Sequence, residues 1–300
     1  MSDLLGMETW HGHSIIKTGG NGYVKILPAK RRAEGVIRQI VWYDTSLIAD
    51  KGVQMMSRRL CVGLALLLLA GCGQSYYKIP KEEFRQTVRT LGVLPLLVDE
   101  NSTVIHPERQ GIFDLLRREN AGKEIPLVAM LREEKAYFDV RSIAGDPAAL
   151  FPLLVSGSSL RGNGADIVRR YRFNPAGVAE VAGRERVDGI LVVIMNGVER
   201  PEKRWDRDSS SMSYLETVYN DILVYAAVLL PTGVVAWEYP VNGGGKFLNL
   251  QYPDFDGAFF NRTENVQVRP ISLAGLGRTL SERERGLFRE EDLPRRYKEL

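Results

Sequence analysis

The chain has 300 residues, 44% apolar and 26% charged, which is the composition of a globular protein with room for one large or two small domains. The formal charge is +3 at pH 7, but from Cys72 onward 31 Lys and Arg stand against 32 Asp and Glu. That balance offers no basic stripe, so nucleic acid is not expected as a partner.

Cysteine and histidine are scarce. Cys61, Cys72, His11, His13 and His106 are all there are, and only His106 lies beyond Cys72. A chain starting at Cys72 has no internal disulfide and no His/Cys metal cluster, and no metal or other cofactor is expected. Nucleophilic catalysis of the Ser-His-Asp or Cys-His kind would have to run through His106 alone.

Residues 1–54 include HGHSIIKTGGNGYVKILPAKRR, which shows no sustained helical or strand period. His11 and His13 lack a third ligand group. Gly19 to Gly22 is not followed by Lys-Ser/Thr, so no phosphate loop is supported. At Met56 the sequence changes to MSRRLCVGLALLLLAGCGQS. Arg58 and Arg59 precede an apolar run, Leu60 to Gly71, of about a dozen residues, whereas a spanning helix needs about 20. The run fits the apolar part of an export signal. A core helix would not need the small residues Ala70 and Gly71 at its exit. Residues 55–71 are therefore expected to be a signal peptide, with Met55 or Met56 as the start. Residues 1–54 read as a spurious or disordered upstream extension.

Residues 72–89 read as a tether, partly helical over KIPKEEFRQTVRT, and 90–285 as a single α/β domain. TLGVLPLLVDE (90–100) has the length and branching of a buried strand. His106 and Pro107 open a helix that buries Ile112, Leu115 and Leu116. A second helix follows with Leu127, Met130 and Leu131 on one face, and YFDVRSI (137–143) alternates like a strand. DPAALFPLLV reads as a short helix. Asn174 and Pro175 are an N-cap and first-turn pair for a helix that turns Val178 and Val181 inward and ends near Arg186. VDGILVVIMNGVE (187–199) is the most strand-like run and reads as central. RPEKRWDRDSSSMS reads as a solvated loop or hairpin tip. Strands near 215–230 and 234–241 are expected to pair across Pro231, Thr232 and Gly233. Gly243 to Gly245 break the pattern before an aromatic stretch without period, 246–267. A helical region follows, and 286–300 reads as an exposed charged tail.

Leu69-Ala70-Gly71-Cys72 resembles the lipobox of bacterial lipoproteins. The resemblance implies cleavage between Gly71 and Cys72, lipid attachment to the Cys72 thiol and acylation of the new amino terminus. Gly73 in place of Asp implies passage to the outer membrane, with the protein on its periplasmic face. LGVLPLLVDE, LVAMLREEKAYFDVRSI, NPAGVAEVAGRERVDGILVVIM and TGVVAWEYPV together resemble the amino-terminal domain of TolB and the CsgG-like family. That implies an α/β sandwich, a mixed β-sheet with helices packed mainly on one face, and a non-enzymatic part in an envelope assembly.

The expected function is an outer-membrane lipoprotein serving as a non-catalytic binding or assembly module, held by its lipid anchor. Its partner would be an envelope protein, and a homo-oligomer is compatible with the same reading. Phe247, Tyr252, Phe255, Phe259 and Phe260 are the candidate partner-binding residues, being aromatics on a stretch without period. The alternatives are a cell-wall glycan hydrolase using Asp254, Asp256 and Glu264, a CsgG-like export-channel component, and a small-molecule carrier or sensor. A hydrolase needs two carboxylates about 5–10 Å apart. A channel needs strands that alternate towards lipid, which EKRWDRDSSSMS does not offer.

Overall fold

Residues 14–17, 23–26, 76–206, 213–261, 265–282 and 294–298 are described in a computed structural model of the chain. Near the amino terminus, where the sequence shows no period, β1 (Ser14–Lys17) and β2 (Tyr23–Ile26) form an antiparallel hairpin. Then come α1 (Lys81–Thr87), β3 (Thr90–Val93) and β4 (Leu97–Asp99). The apolar run at 90–100 is thus two strands rather than one. Pro95 falls between them and has no amide to give a ladder.

α2 (Arg109–Asn120) and α3 (Glu124–Glu133) lead to β5 (Asp139–Ser142). α2 buries Ile112, Leu115 and Leu116 as its spacing requires, and Phe113 with them. On α3 the buried residue is Val128, while Met130 points to solvent at 41% exposure, contrary to expectation. α4 (Pro147–Leu154) leads into a separate hairpin of β6 (Val155–Arg161) and β7 (Val168–Phe173). α5 (Pro175–Glu185) starts where Asn174 accepts from the Ala176 amide at 3.2 Å, and Arg186 closes it in the left-handed conformation. Such an N-cap is worth about 1 kcal/mol.

β8 (Gly189–Trp205) and β9 (Tyr214–Leu229) form one long antiparallel pair from Ile190↔Leu229 to Trp205↔Tyr214. Here the structure corrects the sequence reading, which ended the first strand at 199. β10 (Val235–Tyr239) returns across the predicted turn, with Gly233 at φ +82°. β11 (Lys246–Asn249), β12 (Gln251–Asp254), α6 (Phe255–Phe260), β13 (Gln267–Pro270), α7 (Leu273–Ser281) and α8 (Arg295–Lys298) complete the described chain.

The main sheet is mixed, as expected for this fold class. β3 lies between β5 and β8, parallel to both, and β4 adds to β8 further along, also parallel. β10, β11 and β2 pair in turn along the other edge of β9, all antiparallel. One face carries Leu191, Val193, Met195, Ile222 and Val224, covered by α1, α2, α3, α7 and α8. The opposite face carries Ile190, Val192, Ile194, Tyr225 and Leu229, covered by α4, α5 and the β6–β7 hairpin. Burial of both faces explains why 190–195 is a continuous apolar run.

Two boundaries shift. The stretch read as a tether already contributes Phe84 and Val88 to the core, four residues apart on the α1 side. The stretch read as an exposed tail contributes Tyr297, which is buried and donates its hydroxyl to Asn120 Oδ1 at 2.8 Å. A single aromatic with a hydrogen-bond partner suffices to dock an otherwise charged segment.

Candidate functional site

Beyond Glu199 the pairing of β8 with β9 continues although the residues cease to be apolar. Arg200, Glu202 and Arg204 take one face of β8, two residues apart, opposite Tyr219, Thr217 and Leu215. Asp221 lies on the same face of β9, across from Val198. The face that is hydrocarbon at Ile190 and Ile194 is therefore ionic at its far end.

Asp221 is fully buried, at 0% exposure. Arg204 Nη2 donates to both of its oxygens, Oδ1 at 2.6 Å and Oδ2 at 2.9 Å. Arg204 Nε donates to Glu202 Oε2 at 2.8 Å, and Nη1 donates to the Gln251 carbonyl. The same guanidinium stands 3.9 Å from the Tyr219 ring centroid, in cation–π range. Arg200 Nε approaches Asp221 Oδ2 at 4.0 Å. Lys246, brought in by β11, pairs with Glu202 and lies 3.8 Å from Asp221 Oδ2. Three cations thus meet two carboxylates, so the cluster leans positive. Burial pushes the Glu202 carboxyl up, but hydrogen bonds from Lys246 and Arg204 outweigh it and hold the group below the ordinary carboxylate range.

Glu202, Arg204 and Lys246 of this network line a cleft of about 540 Å³, within the usual size of about 300–1,000 Å³ for ligand sites. Trp205 comes to it from β8, Gln251 and Tyr252 from β12, and Phe255 from α6. Lys203 sits over the Tyr214 ring, 3.6 Å from its centroid, and 4.8 Å from that of Trp205. Asn249 also lines the cleft, and its buried Oδ1 has no hydrogen-bond partner among the described residues.

Two of the five aromatics singled out in the sequence line this cleft, and two more lie on the same helix as Phe255. Tyr252 is exposed and Phe255 half-buried, both lining the cleft. Phe259 and Phe260 are each 79% exposed and meet edge to face, centroids 5.6 Å apart. Phe247 does not belong with them. It is 2% exposed and packs edge-on against Tyr297, centroids 5.2 Å apart. A bulge between Lys246 and Leu248 in β11 lets Phe247 and Leu248 both enter the core, which strict alternation would forbid.

The acidic residues weighed for hydrolysis have other roles. Asp254 caps α6, with Oδ1 accepting from the Gly257 amide at 2.8 Å and Oδ2 from Arg269 Nε at 2.8 Å. Those two contacts, the backbone one first, hold its carboxyl below the usual range. Asp256 is exposed in the first turn of α6, and Glu264 lies outside the described residues. His106 tethers α2 to the β13–α7 junction. Its Nδ1 accepts from the Glu108 amide at 3.0 Å, so Nε2 carries the hydrogen given to the Ile271 carbonyl at 2.9 Å. Gly71, Cys72, Met55, Met56, His11, His13 and Gly19 to Gly22 lie outside the described residues.

Sequence reasoning misses the ionic cluster, though a signal is present. In ERPEKRW opposite charges recur every second residue, and Asp221 is a lone carboxylate beside the apolar run 222–229. No protein-family model matches the chain, and no curated protein matches it.

Proposed function

We propose that this protein is a lipid-anchored periplasmic module of the outer membrane. Cys72 is its attachment point, and the cleft with the adjoining α6 is its surface for an envelope protein partner. The observation that carries the reading is the Phe259–Phe260 pair, two large rings left in solvent side by side on a six-residue helix. Exposed aromatic clusters beside a charged cleft are costly to leave wet and match the anchors of protein interfaces. The anchor rests on the Leu69-Ala70-Gly71-Cys72 order, and the described segment that carries the central strands starts at residue 76, close behind it. The channel alternative asks for an apolar lipid-facing row. From Glu199 to Arg204 both faces of β8 carry charge and do not supply that row.

The test is site-specific photocrosslinking from position 252 in intact cells. A discrete crosslinked partner is expected, and it should fade in the Phe259→Ala, Phe260→Ala double variant while the melting temperature stays within about 2 °C, as for surface changes. Phe247→Ala serves as the contrast. It should cost about 3–5 kcal/mol of stability. Crosslinking that is indifferent to the double variant would reject this surface.

A further inference from the structure

The sheet face carrying Leu191 and Val193 is not filled everywhere by its covering helices. Between this face and α1 and α3 lies a cavity of about 200 Å³. Its floor is hydrocarbon from Leu191, Val193, Val224 and Ala226. Tyr137 and Trp237, both half-buried, also line it. Burial raises the Tyr137 hydroxyl to about 12, so it remains a neutral donor across the physiological range.

Among the described residues, Lys123 is the sole charged one lining this space. It is half-buried just before α3, with Nζ 5.5 Å from the Tyr297 ring centroid. No carboxylate lies within ion-pairing distance of it among the described residues. A lysine whose stem merely packs on apolar surface would also look like this. What sets Lys123 apart is that the apolar surface beside it is empty space. Hydrocarbon inside and an unpaired ammonium at the lining are complementary to an amphiphile with an anionic head.

The volume limits the tail. An apolar protein cavity of about 150 Å³ stays dry and holds benzene. Scaled by volume, this one takes on the order of eight carbons. We infer that the cavity binds the tail of a free medium-chain fatty acid, octanoate in size, with its carboxylate on Lys123. This site is separate from the cleft and stands whether or not the partner surface does.

Calorimetric titration of the full chain with butanoate, hexanoate, octanoate, decanoate and dodecanoate, each kept below micellar concentration, tests the assignment. Affinity should rise about fourfold per methylene up to about octanoate, then level off as the cavity fills. Emission from Trp237 should shift in step and be silent in Trp237→Phe. Lys123→Gln should weaken octanoate about fivefold and leave 1-octanol unchanged. Ala226→Phe should fill the space and abolish both. Affinity that climbs steadily through dodecanoate would mean unspecific surface adsorption and overturn the cavity. Absence of octanoate binding would overturn it too. Equal loss of octanoate and 1-octanol in Lys123→Gln would overturn the carboxylate contact. The chain-length series uses the unaltered protein, so its outcome does not depend on a variant folding.

Discussion

Asp221 holds the ionic end of the sheet together. It is buried with Arg204 bonded to both oxygens and Arg200 close by. Removing one partner of a buried pair strands the other charge, which costs about 3–5 kcal/mol. Asp221→Asn should therefore lower urea stability by that order, well beyond Glu202→Gln, whose carboxylate is partly solvated. Acid should act through Glu202. Its folded-state value lies below the ordinary glutamate value of 4.5, so the unfolded chain takes up the proton first as pH falls. Stability from this group is present above the unfolded value and is lost as pH drops through the folded one. Unfolding free energy should decline below about pH 4.5, and Lys246→Met should flatten its share of that decline. Urea titrations across about pH 3–6 measure both.

At the scale of the element, α5 shows how one helix can carry two glycines with opposite meanings. A Cβ on Gly177 would sit 2.2 Å from the Leu153 carbonyl oxygen, inside the contact with α4. A Cβ on Gly183 would meet nothing within 4 Å among the described residues. Alanine is the better helix former by about 1 kcal/mol, so Gly183→Ala should raise stability by up to that amount. Gly177→Ala gains the same propensity but must push two helices apart, at a typical cost of about 1–3 kcal/mol. Its net effect should be destabilising. Thermal melts of the two variants side by side test the close approach directly. The long hairpin has its own device. Past Asn196 no strand pairs with the outer edge of β8 among the described residues, and Pro201 sits there without an amide to offer. An edge blunted in this way resists pairing with stray strands.

At the scale of the whole molecule, one hydrophobic layer joins segments far apart in the chain. Phe84 of α1 and Tyr297 of α8 both enter it. Anchoring is the further expectation at this scale. Cys72→Ser should accumulate as an unprocessed precursor and lose metabolic lipid labelling, since the proposed reading makes its thiol the acceptor. Expression from Met56 should give the same processed protein and the same melting temperature as the full chain. A lower melting temperature would instead assign a structural share to the β1–β2 hairpin, which pairs with β9 at Glu216 and Leu215.

Local chemistry made much of this legible in the residues themselves. Asn174 with Pro175 marks a helix start. The run at 187–199 marks a doubly buried strand, and Pro231 to Gly233 mark a turn. Each is a short-range preference of the backbone or of hydrophobic period, and each appears where expected. The lengths of β8 and β9, the burial of Phe247 and the docking of Tyr297 were not legible. They depend on partners far along the chain. Arg200 and Arg204 can stay in a buried strand only because Asp221 and Glu202 are brought opposite them. Phe247 enters the core only because a bulge in β11 breaks the alternation. The sequence by itself determined the class of fold, the order of most elements and an aromatic stretch without period. The tertiary structure alone decided which aromatics face solvent, where the charges meet and where the core leaves space, because those outcomes are set by contacts between residues that no local pattern links.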